Sequence, residues 1–160
     1  MTVVFDASIL IDLFNPNLKN DRRIKLDYLI ETLQEKSIKI LIPAPAFTEL
    51  MVKAGSARNE YYARISKEKI FRIEPFDTKA AMNCALLLES AWSIRDGNQI
   101  SKTKFKFDWQ IISIAVSCNA QAIYSDDDDI FRYGERVKIP VYKTNSLPLP
   151  PQGSLPFEIR

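Results

Sequence analysis

Acid–base and metal chemistry in this 160-residue chain falls mainly to carboxylates, because it contains no histidine. Asp6 directly follows the apolar run Val3–Phe5, and Glu49 lies in the segment PAPAFTELMVKAG beside Phe47, Leu50 and Met51. Asp108 stands just before an apolar run in which Ile111, Ile112, Ile114, Ala115 and Cys118 recur at helical spacing. A block of four aspartates, Asp126–Asp129, closes the next stretch. Carboxylates drawn together repel one another and coexist only with a cation or with raised pKa values, so a metal site is the first expectation. Ser-His-Asp and Cys-His catalysis, histidine-bound zinc and haem on histidine are excluded. With four glycines and neither GxxxxGK nor GxGxxG, the chain has no P-loop and no dinucleotide fingerprint. Cys84 and Cys118 sit in apolar helical patterns without CxxC spacing and read as reduced core thiols.

Each acid also has an ordinary structural role open to it. Asp6 and Asp108 both precede helical patterns, where aspartate is a favoured cap. Ser8 either assists that cap or hydrogen-bonds a site carboxylate. Glu49 fits an exposed helical glutamate as well as a site residue. Four consecutive aspartates suit a solvated turn before a helix, and not all four can point into one site. Asp12 and Asp96 read as helix-face or loop residues.

The elements that must position these acids follow from periodicity. Short apolar strands are expected at Val3–Phe5, Ile38–Ile42, Ile70–Ile73, Ala122–Tyr124 and Lys138–Tyr142. Helices are expected at Ala7–Phe14 (stopped by Asn15-Pro16), Asp21–Glu35, across PAPAFTELMVKA up to Gly55, and at Asn59–Lys67. Another runs from an Asp77 cap to about Ile94, and a last one opens after Asp108. Arg95–Lys106 reads as a polar linker, and the proline-rich tail from Thr144 as irregular chain that either packs as an extended arm or stays mobile. Strands alternating with helices make an α/β fold: a three-layer α/β/α sandwich on a central, mostly parallel sheet with right-handed crossovers. That order puts Asp6, Asp108 and the aspartate block at the carboxyl edge of the sheet, where open α/β sheets bind ligands. The length suits one domain, and a net charge of +2 leaves nucleic-acid contact to a local patch. No leader-like opening or membrane-length apolar run is seen, so a cytoplasmic protein is expected.

Three motifs in this order resemble the PIN-domain ribonucleases, in particular the VapC-type toxins of toxin–antitoxin pairs. VVFDASILIDLF is similar to the family's opening strand with its first acid, IPAPAFTEL to the segment carrying its helical acid, and FDWQIISIAVSCNAQAIYSDDDDIF to its aspartate-led helix, strand and T-x-D-x-D-F close. The likeness runs from Val3 to Leu147 and implies a nuclease domain over 1–147 with a proline-rich tail at 148–160. It implies a catalytic set of Asp6, Glu49, Asp108 and Asp127, with Asp126 as a further or alternative metal ligand. Ser125 then stands on the family's threonine and Asp129 on its last aspartate, while Ile130 departs from the closing phenylalanine. Oxygen-only ligands select Mg²⁺ or Mn²⁺, which would activate water for RNA phosphodiester hydrolysis, with one carboxylate such as Glu49 orienting it. A small antitoxin and a homodimer are implied partners. Lys102, Lys104 and Lys106 with Phe105 and Phe107 form either an RNA-backbone patch or a solvated loop, and Tyr61, Tyr62 and Arg64 line either a groove or a dimer contact. A catalytically inactive PIN-like module binding RNA or protein is the alternative. A haloacid-dehalogenase reading fails because Ser8 stands where a second acid is required, and a receiver reading because Glu74 is followed by Pro75.

Overall fold

The computed structural model describes residues 1–92 and 101–152. Its middle layer is a sheet of β1 (Thr2–Phe5), β2 (Lys39–Pro43), β3 (Phe71–Glu74), β4 (Ile123–Tyr124) and β5 (Val141–Tyr142), in the order β3-β2-β1-β4-β5. Every pairing is parallel, with Val3 opposite Ile40 on one side of β1 and Val4 opposite Ile123 on the other. The uninterrupted apolar runs of β1 and β2 are explained by burial on both faces: Val3, Val4, Phe5, Ile40, Leu41 and Ile42 are all buried. Winding proceeds outward from β1 to β2 and β3, then restarts on its other side with β4 and β5. The reversal leaves a crevice between the carboxyl ends of β1 and β4.

Around the sheet lie α1 (Ala7–Phe14), α2 (Asn20–Glu35), α3 (Ala44–Ala54), α4 (Arg58–Lys67), α5 (Thr78–Trp92), α6 (Lys102–Ser117) and α7 (Asp128–Val137). Single 3₁₀ turns occupy Gly55–Ala57 and Thr144–Ser146. The expected punctuation holds at two ends. Asp77 caps α5, its Oδ1 accepting the Ala80 N–H at 2.8 Å, and α3 stops at Gly55, whose φ of 53° favours glycine. Cys84 and Cys118 are unbridged, the first buried and the second partly so. Among the described residues no helix is long and apolar enough to cross a membrane.

Three expectations are corrected. The Lys102–Lys106 part of the expected linker is the first turn and more of α6, opened by Ser101, whose Oγ accepts the Lys104 N–H at 3.1 Å. The apolar anchor is Phe105, which is buried against Trp109 one turn on and against Tyr133. Burying such a side chain contributes roughly 1.5–3 kcal/mol, and lysine is itself a good helix former. Asp108 is therefore internal to α6 and caps nothing. The rest of that linker, the expected helix end at Ile94 and Asp96 lie outside the described residues.

The chain from Thr144 takes the packed course of the two left open to it, and the 3₁₀ turn at Thr144–Ser146 stands where irregular chain was expected. Thr144 is buried, Leu147 joins the core, and Lys25 Nζ donates to the Asn145 carbonyl at 2.9 Å. Finally, the last strand starts at Val141 rather than Lys138, because α7 continues to Val137 and Lys138 takes the left-handed conformation at its end. Gly134 allows this tight return, since a Cβ there would lie 2.2 Å from Val141 Cγ2 and 2.9 Å from the Ile139 carbonyl.

Candidate active site

The crevice is a cleft of about 360 Å³ lined by Asp6, Glu49, Ser101, Thr103, Lys104, Phe107, Asp108 and Asp127. Four acids separated by up to 121 positions in sequence thus meet at one sheet edge. Asp6 leaves the end of β1 at the N-cap position of α1, yet its side chain makes no capping bond. Its Oδ2 accepts the Ser125 hydroxyl at 2.8 Å and the Ser8 hydroxyl at 3.2 Å. Ser8 therefore bonds a site carboxylate, and its Oγ accepts the Asp126 N–H at 3.0 Å, tying the end of β1 to the chain after β4. Burial raises the Asp6 pKa, the Ser125 hydroxyl offsets part of this, and the Asp127 charge adds to it.

Glu49 faces the cleft from α3. It is exposed at the rim, yet partial burial and then the charges of Asp6 and Asp127 raise its pKa. Asp108 is buried in the second turn of α6. Burial pushes its pKa up to about 7, the Lys104 ammonium offsets only part of that, and the charges of Asp127 and Asp6 reinforce it. Asp127 divides its two oxygens. Oδ1 caps α7, accepting the Asp129 and Ile130 N–H groups at 2.7 and 3.3 Å, while Oδ2 faces Lys104 at 3.1 Å.

Asp129 stands beside this set. Its Oδ2 accepts from Lys104 Nζ at 2.8 Å and its Oδ1 pairs with Arg132. Burial would raise its pKa, but the bonds from Lys104 and Arg132 outweigh that and lower it.

Asp126, expected as a further metal ligand, is not brought into the cluster. Its Oδ1 accepts the Thr144 N–H and its Oδ2 the Thr144 hydroxyl, both at 2.8 Å, and Arg22 bridges it to Asp12. Successive residues leaving β4 point different ways, so Asp126 braces the returning chain while Asp127 enters the cleft. Asp128 is exposed and pairs with Lys143.

Lys104 is the site residue that the sequence patterns least disclosed. Its position four residues before Asp108 becomes meaningful only once α6 is known to start at Lys102. Phe105 is buried and cannot stack on a base, which removes it from the expected aromatic–lysine patch; Phe107, 40% exposed, remains at the cleft. Tyr61 and Arg64 pack on Phe14, and Tyr62 lies edge-on to Phe47; none of the three lines the cleft.

The donor set suits a hard divalent cation. Asp108, Asp127 and Asp129 each offer one carboxylate oxygen, all within 4.8 Å of one another, and no sulfur or imidazole intrudes. This trio differs from the expected set of Asp6, Glu49, Asp108, Asp126 and Asp127 by including Asp129 and leaving out Asp126, while Asp6 and Glu49 line the same cleft outside the trio.

The family model of the PIN domain matches residues 3–136. Among solved structures, the chain is similar to VapBC2 from Rickettsia felis bound to a DNA fragment from their promoter, at 16% identity and a TM-score of 0.66, covering 89% of this chain and 98% of that one. VapBC-1 from nontypeable Haemophilus influenzae follows at 14% identity and 0.63, covering 91% and 99%. The sarcin-ricin loop cleaving toxin VapC20 from Mycobacterium tuberculosis aligns at 14% identity and 0.59, covering 82% and 95%. No match is found among curated proteins.

Proposed function

Because this chain belongs to the PIN domain family, we propose that it is a divalent-metal-dependent endoribonuclease and the toxin of a type II toxin–antitoxin pair. The observation that carries this reading is the convergence of Asp6, Glu49, Asp108 and Asp127 on one cleft, with Asp129 alongside. Burial, reinforced by the charges of neighbouring carboxylates, raises the pKa values of Asp6, Glu49 and Asp108, and such a cluster calls for positive charge.

In this reading Asp108, Asp127 and Asp129 hold Mg²⁺ or Mn²⁺. The ion supplies what phosphodiester hydrolysis needs, a more acidic water and compensation of the charge that develops on the phosphoryl oxygens. Asp6, fixed by the Ser8 and Ser125 hydroxyls, lines the cleft from the end of β1 and completes the set. Glu49, with its raised pKa and its place at the rim, accepts the proton of the attacking water and orients it. Phe107 offers an apolar face beside them on which an RNA base can stack. A small antitoxin as inhibitor and a homodimer as the assembled form extend the likeness to the VapBC structures, and the cytoplasm is where such an RNA substrate would be met.

A second reading has one observation in its favour. The Lys104 ammonium already compensates three of the acids, which a non-catalytic PIN-like module would need in place of a metal. Incubating a mixed RNA pool with purified protein in Mg²⁺ or Mn²⁺ against EDTA, beside Asp6→Asn, separates the two. Metal-dependent cleavage lost in the folded variant is the expected result. Intact RNA in every lane, from folded protein free of bound inhibitor, would favour the binding module.

A further inference from the structure

We propose that Lys104 is a built-in competitor for the cation position: its ammonium and a divalent ion use the same oxygens of Asp108, Asp127 and Asp129, so metal loading requires the lysine to leave. The proposal rests on the reading of this cluster as a metal site.

The geometry matches donors to acceptors. Lys104 Nζ lies 2.7 Å from Asp108 Oδ2, 3.1 Å from Asp127 Oδ2 and 2.8 Å from Asp129 Oδ2. An ammonium has three N–H donors, and here it meets one oxygen from each of three carboxylates. The same three residues form the group able to hold a metal ion. A Mg²⁺ ion needs its oxygens at about 2.1 Å in near-octahedral array, and Lys104 already occupies the common focus of these carboxylates. Two cations at that focus would also repel each other strongly.

Lysine is a good helix former, and its i,i+4 pair with Asp108 supports the helix, but its place in the first turn is electrostatically unfavourable. Lys104 is in the first turn of α6, where the helix dipole disfavours positive charge and where no acid precedes Asp108. Its side chain is 42% exposed, whereas that of Asp108 is 11% exposed. The four-carbon stem can therefore swing to solvent without disturbing the core. Docked, the lysine keeps the metal-free cluster from repelling itself; displaced, it stands at the cleft mouth beside Thr103 and Phe107.

The test is direct Mn²⁺ binding, by calorimetry and by the electron paramagnetic resonance signal of free Mn²⁺, on protein stripped with EDTA. Lys104→Met is compared with wild type, with Lys104→Gln and with Lys106→Met, which removes the same charge two residues away. The expected result is Mn²⁺ binding about tenfold tighter in Lys104→Met, equivalent to ~1.4 kcal/mol. Lys106→Met should stay within about twofold of wild type, since an exposed charge away from the cluster is well screened. Adding Asp127→Asn to Lys104→Met should remove the gain. If Lys104→Met does not fold without metal, Lys104→Gln, which retains two donors and loses the charge, carries the comparison. Unchanged or weaker Mn²⁺ binding in folded Lys104 variants, with measurable binding by wild type, overturns the competition and leaves the metal site standing. Equal tightening in Lys104→Met and Lys106→Met also overturns it, because general charge would then explain the effect. Absence of Mn²⁺ binding by wild type and all variants overturns the metal site and the competition together.

Discussion

Two clusters of acids lie side by side past β4, and they solve the same electrostatic problem differently. In the first, Arg22 bridges Asp12 and Asp126, and Thr144 satisfies both oxygens of Asp126 through its N–H and its hydroxyl. In the second, Lys104 serves Asp108, Asp127 and Asp129 together, while among the described residues no ion pair forms at Asp6 or Glu49. The first cluster is closed by the protein's own donors and fastens the returning chain to α2. The second is open to solvent and under-compensated, which is what the proposed cation site requires. The neighbours Asp126 and Asp127, identical in type, fall on opposite sides of this divide.

The largest expected effect comes from exchanging them. Asp127→Asn should lower metal-dependent RNA cleavage by at least about a hundredfold, because it removes charge from the trio proposed to hold the metal. Asp126→Asn should leave cleavage within about tenfold of wild type and instead lower the midpoint of urea unfolding. Equal losses of cleavage from both variants, measured on folded protein, would erase the distinction.

Acidity offers the next contrast. Unfolded Asp108 loses its proton near the ordinary value of 3.8, and folded Asp108 near 7. Between those values the folded state binds the extra proton, so the Asp108 contribution to metal-free stability is fully present below about pH 4 and is lost as pH rises through about 7. At about 1.4 kcal/mol per pKa unit, Asp108 alone bounds this loss at about 4 kcal/mol. Asp6 and Glu49 shift the same way; Asp129 shifts oppositely and acts only as pH falls below its ordinary value. Chemical denaturation of EDTA-treated protein at pH 4.5, 6 and 7.5 should show the decline, and Mg²⁺ should shrink it. Stability that is flat or rising across that window without metal would contradict the under-compensated site.

Breaking the closed cluster should cost less. Arg22→Met leaves Asp12 and Asp126 facing each other without their cation, a loss of about 1–3 kcal/mol given their partial exposure. High salt should recover part of it by screening the two acids. A stability change below about 0.3 kcal/mol would mean that the returning chain is held without help from Arg22.

How much of this was legible in the sequence depended on whether the signal was local. The parallel sheet was readable from uninterrupted apolar runs such as Val3–Phe5 and Ile40–Ile42, because burial on both faces leaves that mark. Asp6 and Asp108 could be placed at one edge from strand and helix order alone. The start of α6 was hidden because the lysines around Phe105 resemble a solvated linker, and the burial of Phe105 against Trp109 and Tyr133 is tertiary. With the helix start went Lys104, whose spacing to Asp108 counts only inside a helix. The expectation of Asp127 in the site came from the resemblance, but the turning away of Asp126 was not legible, since it depends on Arg22 and Thr144, residues 104 and 18 positions from it. The prolines after Leu147 gave no hint that Thr144 would be buried.

The smallest effect tests the link between the clusters. Ser8 donates to Asp6 in the open cluster and accepts the N–H of Asp126 in the closed one. Ser125, fully buried, likewise donates to Asp6 and accepts the Asp127 N–H at 3.1 Å. Ser8→Ala leaves the Asp126 N–H without that acceptor, costing about 1 kcal/mol, while Asp6 keeps its shorter bond from Ser125. Ser125→Ala removes the shorter bond and should cost about 1–2 kcal/mol, with a larger fall in cleavage than Ser8→Ala because Asp6 then loses its better anchor. In the double variant the losses should exceed the sum of the two, since each hydroxyl partly covers for the other at the same Asp6 oxygen. Strict additivity in both unfolding free energy and cleavage rate would show that the two serines act separately, and that the braced and the open cluster are neighbours without being coupled.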